Sequence, residues 1–477
     1  MTLRPSLAIA APGRAFGWHA LAVLLVVVLL LAPALWNGYP LIYFDSEDYV
    51  EMAFTHQPII WRVMTYGMLC SLAKVTGTLW AMPVMQAVLT AWVLHEAVTG
   101  FVGRARPVVL AAVGIALAGL TGLPWVASQV LADVFAGVSI LGIATLAFGE
   151  GLPRWRRWLL AAITALAICV HMSHVAVAAG LLIALWAVAG LVRLRPLRRM
   201  PRPRLTVATC AVVAGILAVP TTHLTQTGRF YFSESGQVLQ LALFIQNGVA
   251  KAYLDEVCPE GAAFKLCEHK EELPRTADEF LWGDSPFDEM GGWRAMHDEA
   301  SAIVKDAIRR FPMMVLRAAL ENTVEQFQSI ESGEDLVPMT WHFVKTELSH
   351  FPAEFRAFRF ARQQRRPALD FTAQNDVQVP INVAAELALL VVLAVAWRRR
   401  DRSSCGLALV VLLALFGNAI VCGAISNPHD RYQNRVVWLA LFAVSIGAVR
   451  LDQRFVRRPP PPSLPAPDRA VPDQVVP

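Results

Sequence analysis

Long apolar runs are the feature that most constrains this chain. The first run, residues 17–35, contains no Asp, Glu, Lys or Arg and approaches the ~20 residues that a helix needs to cross about 30 Å of hydrocarbon. No convincing cleavage site accompanies it, which indicates a retained span and not a removed signal peptide. Because the chain is 56% hydrophobic and only 17% charged, we predict an all-α integral membrane protein.

Further apolar segments bring the predicted number of transmembrane helices to about ten. They lie near residues 79–100, 108–124, 128–148, 158–170 extending to about 175, 175–192, 205–221, 381–397, 404–423 and 434–450. Basic clusters follow alternate segments, as at 154–157, 193–204 and 398–402. Because such clusters collect in the cytoplasm, we expect both termini there, in the inner membrane of a bacterium. The net charge of +5 reflects this orientation, and we expect no nucleic-acid partner.

This topology divides the chain into five regions. A cytoplasmic N-terminus (1–16) precedes a transmembrane core (17–221), and an outer, mainly helical domain (222–380) separates this core from the last spans (381–450). The final region (451–477) is rich in proline, so we expect a disordered cytoplasmic tail.

The first outer loop, residues 37–78, carries four carboxylates close together. In a helical turn Asp45 and Asp48 share one face, and Glu47 and Glu51 share another. One interpretation is a solvated face beside the membrane, with an acidic or serine side chain that caps the helix. The alternative is a catalytic site, because a carboxylate within reach of a hydroxyl can act as a general base.

The segment that follows the carboxylates, residues 56–77, is apolar but contains Arg62 and Lys74. As a spanning helix it would bury Arg62 and would place the next segment in the wrong orientation. As an interfacial helix it keeps both charges among the lipid headgroups and its apolar face in the membrane. We therefore predict an interfacial helix.

Two cysteines of the outer region, Cys258 and Cys267, lie nine positions apart. In an oxidising compartment this spacing suits a disulfide that closes a small loop, and the alternative is two free thiols. We predict the disulfide. A zinc site is disfavoured, because no second pair of ligands follows at the usual spacing.

Other polar side chains fall on the same predicted outer side. His171 and His174 lie between two spans, and His429, Arg431 and Arg435 lie at the start of the last one. The planar guanidinium group suits a lipid phosphate, and ordinary anchoring to headgroups is the alternative. Arginines on the outer side run against the usual charge bias, so they need a local reason. The paired histidines suit contact with a phosphate or sugar better than a metal, since no acidic partner is near them in sequence.

The order of these features resembles the GT-C superfamily of membrane glycosyltransferases, which includes protein O-mannosyltransferases and aminoarabinose transferases. In that family a first span leads into an outer loop with an acidic motif, then into interfacial helices. The segment FDSEDYVEMA (44–53) is similar to this motif through Asp45, Ser46, Tyr49 and Ala53.

The resemblance continues along the first seven predicted spans. HQPII (56–60) stands where the family's interfacial helix begins, and SQVLADVFAGVSILGIATL (128–146) is similar to its fourth span. Asp133 lies near the outer end of that span and is a candidate for the substrate site, with helix capping or packing as the alternative. The outer domain shows no motif of the family.

The resemblance implies transfer of a sugar from a polyprenyl-phosphate donor to a glycan, lipid or protein acceptor beside the membrane lipids. Asp45 is then the general base, with Asp48 or Glu47 as its partner. The implied contacts of the donor phosphate are Arg431, His429, Arg62 and Arg435. The candidates near the substrate are Asp133, His171, His174 and Tyr49. Members of the family differ in their need for a divalent ion, so Mg²⁺ or Mn²⁺ at the acidic cluster is left open.

Two other classes of function are left open by the residues. A transporter or lipid flippase would place charges deep in several spans or would contain repeated halves with broken helices. Here Asp133 is the main candidate for a charge within a span, and no internal repeat is evident. A non-catalytic assembly protein would account for the outer domain and the tail, but it does not require acids, histidines and arginines on one side. This shared side favours the transferase.

Overall fold

The computed structural model describes residues 12–103, 106–192, 201–339 and 343–456. These residues fold into helices, with no strand among them beyond an isolated bridge between Leu41 and Gln129. The helical architecture agrees with the predicted all-α class. The parts of the predictions that lie outside the described ranges are residues 1–11 of the N-terminus, 193–200 of one basic cluster and 457–477 of the tail.

Long apolar helices alternate with short connecting ones. The first part of the chain contains α1 (Pro12–Asn37), α2 (Phe44–Thr55), α3 (Met64–Leu69), α4 (Ser71–Thr76), α5 (Ala81–Val102), α6 (Pro107–Leu120), α7 (Leu123–Ala127), α8 (Val134–Phe148), α9 (Arg154–Cys169), α10 (Met172–Leu191) and α11 (Leu205–Thr227). The second part contains α12 (Gly236–Gln246), α13 (Val249–Val257), α14 (Ala277–Trp282), α15 (Gly292–Ala295), α16 (His297–Arg310), α17 (Pro312–Gln328), α18 (Val344–His350), α19 (Phe355–Phe360), α20 (Thr372–Arg399), α21 (Arg402–Ile425) and α22 (Asp430–Val456).

Seven helices within the described ranges are long and apolar enough to cross a membrane: α1, α5, α10, α11, α20, α21 and α22. The other predicted spans fall on α6, α8 and α9, which have 14, 15 and 16 residues. Every residue of α8 is buried, so this short helix is enclosed by its neighbours. The seven candidates indicate a membrane protein, and the count of ten stays a prediction.

Polar contacts gather at the two ends of the helix bundle. At one end Arg450 binds Asp401, with 2.8 Å between Nη2 and Oδ1, and Arg156 binds Glu96, with 2.5 Å between Nη2 and Oε1. Asp401 and Arg156 belong to the basic segments 398–402 and 154–157 that we assigned to the cytoplasm. The structure therefore brings these segments to one end. The opposite end, where α2 packs, is called the site end below.

The first outer loop holds three short helices at the site end. The left-handed conformation of His56 (φ 56°) ends α2. The predicted interfacial helix over 56–77 is replaced by α3 and α4, because the chain before α3 turns back towards α2. There α3 packs closely on α2 at Gly67, where a Cβ atom would lie 2.8 Å from the Cβ atom of Met52. This close packing fixes the loop against the bundle.

The predicted outer region, residues 222–380, is divided in the structure. Its borders differ from the prediction, because α11 continues to Thr227 and α20 already begins at Thr372. Apolar side chains of residues 336–371 pack into the same hydrophobic core as the long helices. Burial of this later segment against the bundle leaves the earlier part as the separate unit.

That separate unit consists of α12 to α16, and the name outer domain refers from here on to this unit and no longer to all of residues 222–380. These helices enclose a hydrophobic core of their own between Val238 and Ala307. A disulfide joins Cys258 and Cys267, as the spacing predicts. Ile60 and Trp61 of the first outer loop pack against this core, so the outer domain and the site end are in direct contact.

Candidate active site

Asp45 and Asp48 project from one face of α2 towards Arg62. The guanidinium group of Arg62 donates from Nη2 to Asp45 Oδ1 at 2.5 Å and from Nε to Asp48 Oδ2 at 3.0 Å. The indole N–H of Trp61 also donates to Asp48, at 2.9 Å. Burial raises the pKa of Asp48, and Arg62 and Trp61 oppose this effect. Arg62 is thus held by carboxylates instead of lying among lipid headgroups.

Asp45 is neither solvated nor a helix cap. Its residue exposure is 7%, which excludes a solvated face at this position. The N-cap of α2 is Tyr43, whose backbone N–H donates to the Oγ atom of Ser46 at 3.0 Å, and Ser46 Oγ donates in turn to the carbonyl oxygen of Val130 at 2.8 Å. The Asp45 carboxylate therefore takes no part in capping its own helix.

Arg431 reaches the same carboxylate from the last helix. Its Nη1 lies 3.3 Å from Asp45 Oδ2, and its Nε lies 3.4 Å from Asp133 Oδ2. The guanidinium carbon lies 4.3 Å from the ring centroid of Tyr43, within the range of cation–π attraction. Asp133 stands at the N-cap position of α8, which begins at Val134, and its side chain makes no capping hydrogen bond.

Arg435, one turn further along α22, completes the cluster. It is fully buried and donates from Nη1 to Asp133 Oδ1 at 2.7 Å and from Nη2 to Ser173 Oγ at 2.8 Å. Six side chains of alternating charge thus form what we call the ion-pair chain: Asp48, Arg62, Asp45, Arg431, Asp133 and Arg435. Buried charges are costly unless they are paired, so this balance allows six ionisable groups to sit beside apolar helices.

His171 and His174 lie next to Arg435. The Ser173 hydroxyl accepts from Arg435 and lies 2.8 Å from His171 Nδ1, so it links the two side chains. His174 Nδ1 lies 2.9 Å from the carbonyl oxygen of Ala167, and its buried Nε2 has no hydrogen-bond partner. Within the described ranges, no group of three or more His, Cys, Asp or Glu residues is arranged to hold a metal ion.

Glu47 and Glu51 project from a different face of α2. Glu47 accepts from the Thr346 hydroxyl at 3.1 Å, and Glu51 lies 3.0 Å from His350 Nε2. The structure does not bring Glu47 to Asp45 as predicted, because a rotation of about 100° per residue turns it away from Arg62. Of the predicted partners for Asp45, Asp48 is the one that shares its arginine.

His429 precedes α22 and connects it with two other segments. Its Nδ1 lies 2.7 Å from Glu334 Oε1, and its Nε2 lies 3.2 Å from Asp278 Oδ2 in the outer domain. Burial lowers the pKa of His429, but hydrogen bonds to Asp278 and Glu334 outweigh it and raise the pKa to about 11. His429 therefore links the outer domain to α22 through two carboxylates. Because these carboxylates already bind its imidazolium group, this geometry does not favour the predicted contact with a phosphate.

Tyr49 supports the site from within α2. Its buried ring lies 4.7 Å from that of Tyr66, and the guanidinium carbon of Arg62 is 6.0 Å from its centroid. Burial raises the pKa of Tyr49, which keeps its hydroxyl protonated. The structure places Tyr49 behind Arg62, where it limits the positions that this guanidinium group can take.

Sequence reasoning missed three side chains that position the charged groups. Tyr43 lies under Arg431 and donates to Asp335 Oδ2 at 2.8 Å, Trp61 binds Asp48, and Ser173 binds Arg435. A signal was present, because Tyr43 lies two residues before Asp45, Trp61 directly precedes Arg62 and Ser173 lies between the two histidines. The partners of all three are remote in sequence or on another helix, which no local pattern reveals.

The fold and the site together define a helical membrane protein with a buried chain of ion pairs at one end of its bundle. No family model, no curated protein and no solved structure matches the chain. The likeness to GT-C enzymes is therefore a hypothesis that rests on the acidic motif and on the residues gathered around it.

Proposed function

We propose that the protein is a membrane glycosyltransferase of the GT-C type, which moves a sugar from a polyprenyl-phosphate donor to an acceptor on the outer face of the membrane. The observation that carries this proposal is the position of Asp45, a buried carboxylate between the guanidinium groups of Arg62 and Arg431. Guanidinium groups bind phosphate oxygens strongly, and a lipid anchor would hold the donor beside the apolar helices.

The reaction needs one proton acceptor and one cation. The acceptor hydroxyl attacks the anomeric carbon of the donor sugar, and its proton passes to the Asp45 carboxylate. The bond between the anomeric carbon and the phosphate oxygen breaks, and polyprenyl phosphate leaves with the electron pair. Arg431 stabilises the negative charge that develops on this leaving group.

In the structure both oxygens of Asp45 are engaged by arginines, so one of them must be released before the carboxylate can act as a base. The contact of Arg431, at 3.3 Å, is longer than that of Arg62, at 2.5 Å. A donor phosphate competes with Asp45 for Arg431 and frees Oδ2 when the arginine turns towards it. Binding of the donor thereby activates the base, so proton removal is disfavoured while no donor is bound.

The remaining members of the ion-pair chain keep these groups in place. Arg435 holds Asp133, and Asp133 in turn lies 3.4 Å from the Nε of Arg431. Asp48 and Trp61 orient Arg62. A donor sugar would extend towards His174, whose unpartnered Nε2 can accept a hydrogen bond from a hydroxyl group.

In the proposed orientation ten helices cross the bacterial inner membrane, both termini lie in the cytoplasm, and the site end faces outwards. Two observations support this arrangement. The basic segments meet at the opposite end, through Arg156 and Arg450, and such segments favour the cytoplasmic side. The disulfide between Cys258 and Cys267 is typical of an oxidising compartment.

The replacement Asp45→Asn tests the proposal, because it removes the proton acceptor and keeps the size of the side chain. Transfer from a labelled polyprenyl-phosphate sugar by the purified protein should fall by about 10² to 10⁴, the usual contribution of a general base. Glu51→Gln is the matched control, since Glu51 lies on the same helix but binds His350. Thermal unfolding of each variant separates lost chemistry from lost fold. Equal and mild losses in both variants would refute the catalytic role.

A transporter is the second candidate, and one observation favours it. Gln374, Gln378, Asn382 and Glu386 recur every fourth residue on α20, a candidate membrane span. Asn382 is fully buried, and neither its Nδ2 nor its Oδ1 has a partner. Unpaired polar groups within a span often line a pathway for a solute or proton. This row lies outside the ion-pair chain, so its replacement distinguishes the two functions.

A further inference from the structure

A groove lies between the first outer loop and the outer domain, beside the ion-pair chain. One cavity of about 400 Å³ is lined by Pro58, Ile59, Ile60, Trp61, Gly291, Trp293 and Arg294. A second cavity of about 330 Å³ is lined by Ile60, Arg229, Glu234, Arg294, His297 and Asp298. Both cavities are lined by Ile60 and Arg294, so the aromatic cavity and the charged cavity adjoin each other as the two halves of the groove. Sites for small molecules have this size and this mixture of groups.

The aromatic half is built from tryptophans that contact one another. The ring centroids of Trp61 and Trp293 lie 5.3 Å apart, and Trp282 lies 5.5 Å from Trp61 and 5.3 Å from Trp293. Trp293 is anchored by Phe287, at 5.5 Å. Such a cluster is rigid, because each indole is held by its neighbours, so Trp61 and Trp293 present apolar ring edges and faces to the groove at little cost in conformational entropy.

The charged half carries groups of both signs. Arg229 and Glu234 form an ion pair at 2.7 Å, and His297 Nδ1 lies 3.0 Å from the backbone carbonyl oxygen of Glu234. Arg294 and Asp298 add one exposed charge of each sign. With two arginines against two carboxylates, this half provides hydrogen-bond donors and acceptors without a net charge that would select an anion or a cation.

We infer that the groove binds the acceptor of the reaction and that this acceptor is a neutral glycan. The inference rests on the proposed transferase function and names the class of its acceptor. A sugar ring has an apolar C–H face that packs on an indole and an edge of hydroxyl groups that pair with charged side chains, and the two halves of the groove provide both. A lipid chain would cover Arg294 and Asp298 without offering either a hydrogen-bond partner, which is costly once water is excluded.

The groove adjoins the ion-pair chain through Trp61. Trp61 lines the groove and donates to Asp48, and Asp48 shares Arg62 with Asp45. The Oδ1 atom of Asp45 faces Arg62, whereas its Oδ2 atom faces Arg431. An acceptor in the groove therefore lies on the Arg62 side of Asp45, and its reacting hydroxyl must extend past Arg62 to Oδ2, the oxygen that the donor phosphate frees on the Arg431 side.

Binding of glycans to the full-length protein, without any donor, tests the inference. The probes are neutral trisaccharides of gluco, galacto and manno configuration, measured by saturation-transfer NMR in detergent. We expect saturable binding of at least one probe, with the strongest saturation on the ring C–H protons that face the indoles. Trp293→Ala and Arg294→Ala should each weaken this binding about tenfold or more, because each removes one half of the contact.

The choice of variants makes the outcome specific. Arg294 is exposed, so Arg294→Ala keeps the test decisive if the buried Trp293→Ala variant fails to fold. Trp155→Ala is the control, since Trp155 is 67% exposed on α9, and it should leave binding unchanged. Absence of saturable binding, or equal affinity in wild type and Arg294→Ala, would overturn the inference. Displacement of the trisaccharide by an alkyl phosphate or a peptide from the Arg294-dependent site would also overturn it.

The same experiment separates this inference from the proposed function. Asp45→Asn should retain glycan binding and lose transfer. If it retains both, the transferase proposal fails while the glycan site stands. If no trisaccharide binds but Asp45→Asn still abolishes transfer, the glycan site fails while the transferase proposal stands.

Discussion

Arg431 and Asp45 lie 386 positions apart in the sequence, and their side chains meet at 3.3 Å between Nη1 and Oδ2. This contact joins the last helix to the first outer loop. The neighbouring contact between Arg431 and Asp133 adds α8 to the same point. The site is therefore assembled from segments at both ends and in the middle of the chain, so it exists only when the whole bundle is packed.

The pair of Arg435 and Asp133 is expected to be the most sensitive point of the ion-pair chain. Arg435 is fully buried, so Arg435→Met leaves Asp133 without its 2.7 Å partner and should lower the free energy of unfolding by about 3–5 kcal/mol. The double variant Arg435→Met/Asp133→Asn should recover part of this loss, because the uncompensated charge is gone. Unfolding of purified protein by heat or denaturant measures both. Arg359→Met, at an exposed position, is the control and should change little; a loss equal to that of Arg435→Met would argue against a special role for the pair.

The pH dependence of stability should report on His429. Its pKa is raised from an ordinary value of about 6.5 to about 11 by Asp278 and Glu334. The charged form therefore contributes stability that is fully present below about pH 6.5 and is lost progressively as the pH rises towards 11. His429→Gln should lower the unfolding temperature at pH 6 and flatten its decline between pH 7 and 10. A curve for His429→Gln that runs parallel to that of wild type would contradict this linkage.

Replacement of Asn382 is expected to stabilise the protein, in contrast to replacement of Arg435. Its two unpartnered polar atoms are buried in α20, and Asn382→Leu replaces them with an apolar group of similar size. Removing unpaired polar groups should stabilise the fold by about 1–3 kcal/mol. In a transferase the turnover should be unchanged. A stable Asn382→Leu variant that has lost its activity would favour the transporter instead.

Labelling of introduced cysteines measures the orientation. Thr55 and Arg400 are exposed and lie at opposite ends of the bundle, and Ser46 would be a poor site because it is buried. In a Cys210→Ser background, which removes the exposed native thiol, Thr55→Cys should react with an impermeant reagent in intact cells. Arg400→Cys should react after the membrane is permeabilised. Labelling of Arg400→Cys in intact cells would reverse the orientation and place the site in the cytoplasm.

Local features of the site were readable from the sequence. The helical spacing of Asp45 and Asp48 correctly placed both on one face, and Glu47 and Glu51 on another. The disulfide between Cys258 and Cys267 followed from a spacing of nine residues. These features depend on neighbours within a few turns of the chain, so composition and periodicity are enough to predict them.

The sequence by itself determined the apolar helices, the acidic turn and the spacing of the basic clusters, because hydropathy, helical periodicity and charge are properties of short segments. The tertiary structure alone decided that Arg62 turns to Asp45, that His429 is taken by Glu334 and Asp278, and that three tryptophans form one surface. Such contacts depend on how helices cross and on which buried charges find partners, and both are settled only when distant segments pack together.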